Sequence, residues 1–369
     1  MPSRNKTITD INGVIEGLLR DLAEVQTSTQ SRWGYKRAAA AVRSLPEPID
    51  RYLQPNGTLR KIPNIGPSST KVILEVLRGG SSPTVEQALA SSTRKPEVER
   101  SRGLRDNFLT RAQVQAALTN RKLKGVSLRD YRGDLQMHSV WSDGTQTLES
   151  IVTAGLARGY QYSAVTDHSY GLPIANGVSM DDLARQHQEI DALNKRSKGR
   201  FRLLKGIEAN ILADGSLDMQ DDELQAIEIV VAAPHSALRS SAPQTARLVK
   251  AVSRRGVHIL GHPRGRKYGT RPGVAADWEA VFTAAVRTGV AVEIDGDPSR
   301  QDLDHQLARQ AAAAGCLFAL DSDAHSNAEL EYAETAIAHA RLAGIPPERI
   351  INCWPVDRLL DWSKERSRR

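Results

Sequence analysis

The sequence predicts an α/β protein, a parallel sheet of βα units preceded by a small all-helical domain. Three observations carry this. From Asp134 onward, short apolar runs separated by 15–35 residues alternate with amphipathic stretches, the pattern of strands joined by crossover helices. Residues 1–90 instead repeat apolar side chains at three- and four-residue steps, a helical period. The apolar runs of the second part also end, one after another, in histidine or a carboxylate.

In the first part, Ile8, Ile11, Val14, Ile15, Leu18, Leu19, Leu22 and Val25 make one amphipathic helix. A second, Ala-rich helix over Tyr35 to Val42 stops at Ser44-Leu45-Pro46, where proline cannot continue it. Leu59 to Pro67, then Ser68 to Leu77 and Gly79-Gly80, read as helix, tight turn, helix and glycine stop. Residues 91–130 are basic and polar and read as a linker with a short helix, Ala112 to Leu118. The expected domains are therefore 1–90, the linker 91–130, and 131–369.

The 369 residues fit two or three domains of ~100–200 residues. With 40% apolar and 25% charged residues, a mainly disordered chain and a fibre are excluded. No stretch reaches the ~18 apolar residues of a membrane span, and Met1 to Asp10 has no apolar core of a secretory signal. The two cysteines, Cys316 and Cys353, cannot form a disulfide framework or a cysteine zinc site, so a reduced, cytoplasmic protein without a membrane partner is expected. Residues 1–130 carry 22 Lys and Arg against 12 Asp and Glu, a net of +10, while the remainder has −3. A basic N-terminal region attracts polyanions; a solvated basic surface with no partner is the other reading. No Gly-x-Gly-x-x-Gly or Walker-type loop follows a strand, which excludes the usual nucleotide-cofactor fingerprints.

The runs YSAVTDH, RLLKGIEANI, AIEIVVAAPH, GVHILGHP and CLFALDSDAH deliver His168, Glu208, His235, His262, Asp323 and His325 just past predicted strands, and DLQMHSVWSDG adds His138 and Asp143. In a (β/α) barrel all such strand ends converge on one face. Imidazole and carboxylate are ligands for ions such as Zn²⁺ and Mn²⁺. One ion takes about four to six groups, so these eight suffice for two or three. A single strand-end histidine is more often structural; five in succession point to metal. His187, His305 and His339 lie in predicted helices and read as surface, and His258, at the start of its strand, as packing. Ions at ~3.5–4 Å spacing activate water and stabilise an in-line phosphoryl displacement, so metal-assisted hydrolysis of a phosphoester is the expected reaction class.

The ordered motifs D-L-x-x-H-S-x-x-S-D-G, T-D-H, G-x-E, P-H-S, H-P and D-A-H resemble the PHP (polymerase and histidinol phosphatase) superfamily over about residues 131–360. Gly261-His262-Pro263 with Gly265-Arg266 and Asp277, and Val292-Glu293-Ile294 with Pro298, Arg300, Asp302 and Leu303, are similar to the PHP domain of bacterial family-X DNA polymerases. The N-terminal region is similar to that family's small domain, with Ile62-Pro63-Asn64-Ile65-Gly66 in the place of its helix–hairpin–helix turn. The resemblance implies a distorted (β/α)7 barrel with up to three metals, Mn or Zn, with Fe as a third choice. It implies one ion on His138, Glu208 and Asp323, with Glu208 bridging to a second on His235 and His262, and a third on Asp143, His168 and His325. It makes Arg264, Arg266, Lys267 and Arg300 candidates to hold the substrate phosphate. It makes Ile62, Asn64, Gly66, Ser68 and Lys71 candidates to meet DNA through backbone N–H groups and charge.

The sequence departs from the family pattern at Gln136, where the usual first-motif histidine is replaced by a weaker ligand or by a residue supporting the ligands. Asn64 replaces the hairpin's first glycine, and asparagine tolerates the left-handed conformation. The small domain's nucleophilic lysine aligns with Val72, so no lyase activity is carried over. Only ~45 residues separate hairpin from barrel and no Asp-x-Asp precedes Asp134, so no polymerase activity is expected. The leading expectation is a metal-dependent phosphoesterase acting on DNA, a 3′→5′ exonuclease or 3′-end processing enzyme in repair, working beside a separate polymerase or repair factor. The alternatives are a small-molecule phosphatase of the histidinol-phosphatase type and a non-catalytic DNA-binding protein.

Overall fold

The computed structural model describes residues 10–368. Ile8 and most of the Met1 to Asp10 segment lie outside them. The chain divides into two compact units, Met1–Thr119 and Asn120–Arg369.

The first unit is all helical: α1 Ile11–Val25, α2 Thr29–Arg43, α3 Pro67–Gly79, α4 Pro83–Ala90, α5 Lys95–Gly103 and α6 Arg111–Thr119. Ile15, Leu19 and Leu22 on α1 pack with Ala38, Ala39 and Val42 of α2 and with Val72, Ile73 and Val76 of α3. Each such large aliphatic side chain contributes roughly 1.5–3 kcal/mol by burial. α2 begins earlier than its apolar pattern suggests because Ser28 caps it, accepting from the Ser31 amide at 3.4 Å.

Two expectations are corrected in this unit. The segment 91–119 is folded rather than a linker. α5 was illegible because its apolar face is a single buried residue, Val98; charge holds it instead, with Arg102 2.7 Å from the buried Asp21 and Arg105 on the same carboxylate. Nor does an α-helix enter the hairpin. Pro46 and Pro48 interrupt the chain, leaving a one-turn 3-10 helix, Ile49–Tyr52, and an antiparallel bridge from Leu53 to Leu59. At the turn between Pro63 and Gly66, Asn64 is left-handed at φ 65°.

The second unit is a seven-stranded, all-parallel sheet in the order β1 to β7. Its elements are β1 Gly133–Asp134, α7 Leu148–Ala157, β2 Tyr162–Val165, α8 Met180–Ser197, β3 Arg202–Asn210, α9 Asp221–Gln225, β4 Ile229–Ala233, α10 Thr245–Ser253, β5 Ile259–Leu260, α11 Trp278–Thr288, β6 Ala291–Asp295, α12 His305–Ala314, β7 Leu317–Asp321, α13 Ala333–Ala343 and α14 Val356–Arg368. The first and last strands meet just beyond their ends through one bridge, Met137 to Ala324, nearly closing a barrel. Asn352 fastens this seam, donating to the Gly133 carbonyl at 3.0 Å and accepting from the Leu320 amide at 2.7 Å.

Leu135, Tyr162, Ile229, Ile259, Ala291 and Ala319 pack with Trp354 and Leu359. His258 belongs to this packing, as its position suggests. Its Nδ1 accepts from the Val230 amide and its Nε2 meets the Ser363 carbonyl, both at 3.0 Å. Helix starts are capped by Thr147, Ser179, Asp277 and Asp304. His339 corrects the surface reading. It is fully buried, with Nδ1 accepting from the His305 amide and Nε2 2.8 Å from Gln301 Oε1.

Candidate metal centre

The C-terminal ends of the strands and the loops that leave them bring all eight expected ligand side chains together. The loop after β1 carries His138 and Asp143, and its turn needs Gly144, where a Cβ would collide with the His138 carbonyl. Asp167 fixes this loop, accepting from the Ser139 amide at 2.7 Å and the Ser139 hydroxyl at 2.6 Å, and is itself held by Gln186 at 2.6 Å. Asp167 precedes His168 in the YSAVTDH run, and its part in fixing the loop emerges only from the fold.

Glu208, near the C-terminal end of β3, is the hub. Its Oε1 lies 2.9 Å from His262 Nε2 and 3.2 Å from His235 Nε2, and its Oε2 lies 3.1 Å from His168 Nδ1 and 3.4 Å from His138 Nε2. Asp323 Oδ1 is 3.1 Å from His138 Nε2. Asp143 Oδ1 faces His325 at 3.5 Å, His168 at 3.7 Å and His138 at 3.8 Å. The His138 ring stacks on His168 and His325 with centroids 4.4 and 4.3 Å away. Asp323 is left-handed at φ 53°, a conformation that aspartate's short polar side chain tolerates better than most.

Three sets of donor atoms lie mutually within 4.8 Å: His138 with Asp143, His168 and His325; His168 with Glu208 and His235; and His138 with Glu208 and Asp323. Among the described residues, buried nitrogens of His138, His168, His235 and His262, and Glu208 Oε2, have no partner in hydrogen-bonding geometry. A buried polar atom without a partner costs about 1–3 kcal/mol. Orphaned lone pairs converging on shared carboxylates are what divalent cations satisfy, so these residues fit metal. Gln136 is fully buried with both amide atoms unpartnered, which suits a carbonyl ligand or a support for one.

Burial opposes ionisation of Glu208, but the surrounding histidines hold its carboxyl well below the usual range. Burial pushes His168 down to about 4, keeping its ring neutral as a ligand must be. His325 goes the other way, to about 9: burial opposes, but Asp143 and Asp323 prevail. Near these ligands lie further fully buried carboxylates, Asp134, Glu293, Asp295 and Asp321. Burial raises all four, Asp321 to about 6.

Of the arginines expected at the substrate, only Arg300 reaches the cluster, with Nη2 3.2 Å from Asp323 Oδ2. Arg264 and Arg266 both pair with Asp304, at 2.7 and 3.3 Å. Arg266 is buried and donates to the carbonyls of Arg300 and Gln301 at 3.0 and 2.8 Å; it shapes the backbone from which Arg300 projects. Lys267 is exposed.

In the helical unit, Asn64, Gly66, Ser68 and Lys71 are exposed and Ile62 is buried. Two clefts flank the Asn64 turn. One of about 650 Å³ is lined by Arg60, Lys61, Lys71 and Arg78, and one of about 600 Å³ by Arg37, Lys61, Asn64 and Ser68. The hairpin opens directly into α3 at Pro67, so the first free amides of that helix lie beside these cations.

No family model matches the chain. It is 37% identical over 230 residues to the DNA polymerase/3′-5′ exonuclease PolX of Bacillus subtilis, covering 62% of this chain but only 40% of that protein. It is 30% identical over 248 residues to the probable phosphatase YcdX of Escherichia coli K12, covering 64% of this chain and 95% of that protein. Among solved structures, it is similar to histidinol phosphate phosphatase from Lactococcus lactis, complexed with zinc, L-histidinol and phosphate. The TM-score is 0.43 with 18% identity, over 58% of this chain and 94% of that one.

Proposed function

The chain belongs to the PHP (polymerase and histidinol phosphatase) superfamily, and we propose that it is a metal-dependent phosphoesterase that trims DNA ends, a 3′→5′ exonuclease or 3′-end processing enzyme without polymerase activity. The observation that carries this is the convergence of five histidines and three carboxylates with Arg300 at one rim of the barrel. Bound divalent ions would supply Lewis-acid charge and a water nucleophile of lowered pKa. His138, Glu208 and Asp323 would hold one ion, Glu208 with His235 and His262 a second, and Asp143, His168 and His325 a third. Mn or Zn suits this mixture of imidazole and carboxylate. Arg300 presents a guanidinium, fixed for charge and orientation, to a phosphate oxygen. Asp167 and Arg266 keep the ligand loop and the Arg300 loop in register.

DNA as substrate is supported by the similarity to a 3′-5′ exonuclease and by the basic clefts beside the Asn64 turn. A second reading, a small-molecule phosphatase, is favoured by the match to nearly the whole length of YcdX, since that relative manages with the barrel alone. The deciding experiment supplies purified protein and Mn²⁺ with single- and double-stranded DNA labelled at either end, an abasic site, a 3′-phosphate and histidinol phosphate. Release of nucleotides or phosphate from 3′ ends is expected. Hydrolysis of histidinol phosphate with DNA left intact would establish the second reading.

A further inference from the structure

Three consecutive strand-end loops each contribute an arginine: Arg239 after β4, Arg271 after β5 and Arg300 after β6. The middle loop is a tight hairpin in which the Lys267 amide donates to the Arg271 carbonyl at 2.9 Å. It is tied to both neighbours. The Tyr268 amide donates to the Ser299 carbonyl at 2.7 Å, beside Arg300. Arg239 Nη1 donates to the Thr270 carbonyl at 3.2 Å. Arg271 Nε donates to the Gly265 carbonyl at 2.6 Å.

The arginines differ in one respect. Arg300 is paired with Asp323 in the cluster, whereas neither Arg239 nor Arg271 forms an ion pair among the described residues. Partial burial and the charges of Arg300 and Arg239 lower the pKa of Arg271. Asp302 opposes these like charges on Arg271 without pairing with it, and neighbouring guanidiniums of this kind are stabilised by an anion that joins them, for which their planar geometry suits phosphate.

We infer that Arg239 and Arg271 bind a second phosphate of the substrate, one nucleotide from the phosphate held at the metal cluster and Arg300. This rests on the phosphoesterase reading and narrows it: the site takes a nucleotide chain end carrying two neighbouring phosphates. An amino alcohol phosphate would bring a cation to a cationic rim, a repulsive pairing.

The test uses the full-length protein with Mn²⁺ and calorimetric titration of non-hydrolysable phosphonate analogues of thymidine 3′,5′-bisphosphate and thymidine 5′-phosphate. The bisphosphate analogue is expected to bind at least about tenfold tighter, a gain of about 1.4 kcal/mol. That ratio should fall to about two in Arg239→Gln and toward one in Arg239→Gln/Arg271→Gln. Arg239 is exposed, so the single variant keeps the test valid if the double variant misfolds. A ratio near one in the unmodified protein, or a ratio unmoved in Arg239→Gln, would overturn the inference. Turnover of thymidine 5′-(p-nitrophenyl phosphate) is measured alongside: its absence would count against the phosphoesterase reading, whereas the binding ratio reports on the arginine row.

Discussion

Arg300 and Asp323 meet at the centre of the site, with Nη2 of the guanidinium 3.2 Å from Oδ2 of the carboxylate. The other carboxylate oxygen faces His138 at 3.1 Å. Burial opposes ionisation of Asp323, but Arg300 and His138 hold its carboxyl far below the usual range. One residue thus links a metal-type cluster to a phosphate-type cation.

Replacing Arg300 separates these roles. Arg300→Ala should lower kcat/KM on a phosphodiester by about 10²–10³, the scale of a lost oxyanion donor, while metal content stays near that of the unmodified protein. Arg300→Lys should recover only part of the rate, because the forked donor geometry is lost. Steady-state kinetics paired with metal analysis checks this; unchanged kinetics in Arg300→Ala would remove the residue from the substrate site.

Arg266 should behave as a positioning residue. Arg266→Ala leaves the Arg300 and Gln301 carbonyls without their buried donor, costing about 3 kcal/mol. A lower thermal midpoint and a raised KM are expected, with Arg266→Lys giving partial recovery of both. A variant with normal stability and abolished kcat would instead mean direct contact with substrate.

His258 gives the fold a pH dependence. Burial depresses its pKa from 6.5 to about 4, and its Nδ1 accepts a backbone hydrogen bond only when unprotonated. Between these values the unfolded chain binds a proton that the folded protein refuses. The stabilisation is therefore complete above pH 6.5 and is lost as pH falls toward 4, by roughly 3 kcal/mol. In His258→Asn the acceptor is kept and the titration removed, so denaturant midpoints at pH 7 and pH 5 should lie closer together than in the unmodified protein. Equal differences in the two proteins would reject the assignment.

The cations beside the Asn64 turn should govern DNA affinity rather than chemistry. Lys61→Glu/Lys71→Glu is expected to weaken binding of a labelled duplex at least tenfold and to flatten its salt dependence by about two units of slope, one per phosphate contact. Asp143→Ala and His168→Ala should abolish hydrolysis while leaving that binding largely intact. Fluorescence anisotropy across a salt series measures both, and an unchanged slope in the double variant would place DNA elsewhere.

Most of the metal-type residues were legible because they end or follow an apolar run, and a parallel barrel sends every such end to one rim. His258 was legible for the related reason that it begins a strand rather than ending one. His339 was not: α13 is buried on nearly every side by Ala333, Ala336, Ala338 and Ala340, so no amphipathic stripe marks its inner face. Arg264 and Arg266 sit in a basic loop whose carboxylate partner, Asp304, lies some forty residues later and is not legible from the loop itself. α5 escaped notice because Asp21, more than seventy residues upstream, supplies much of what holds it. Local periodicity reveals elements that bury apolar faces; it does not reveal long-range charge partners.

The most direct measurement is the metal content of the purified full-length protein by inductively coupled plasma mass spectrometry, beside that of Glu208→Gln, with circular dichroism to verify folding. About two to three equivalents of a divalent ion per chain are expected, falling to one or fewer in the folded variant because Glu208 touches four of the five site histidines. A folded, unmodified protein that retains no divalent ion after incubation with Mn²⁺ or Zn²⁺ would contradict the account.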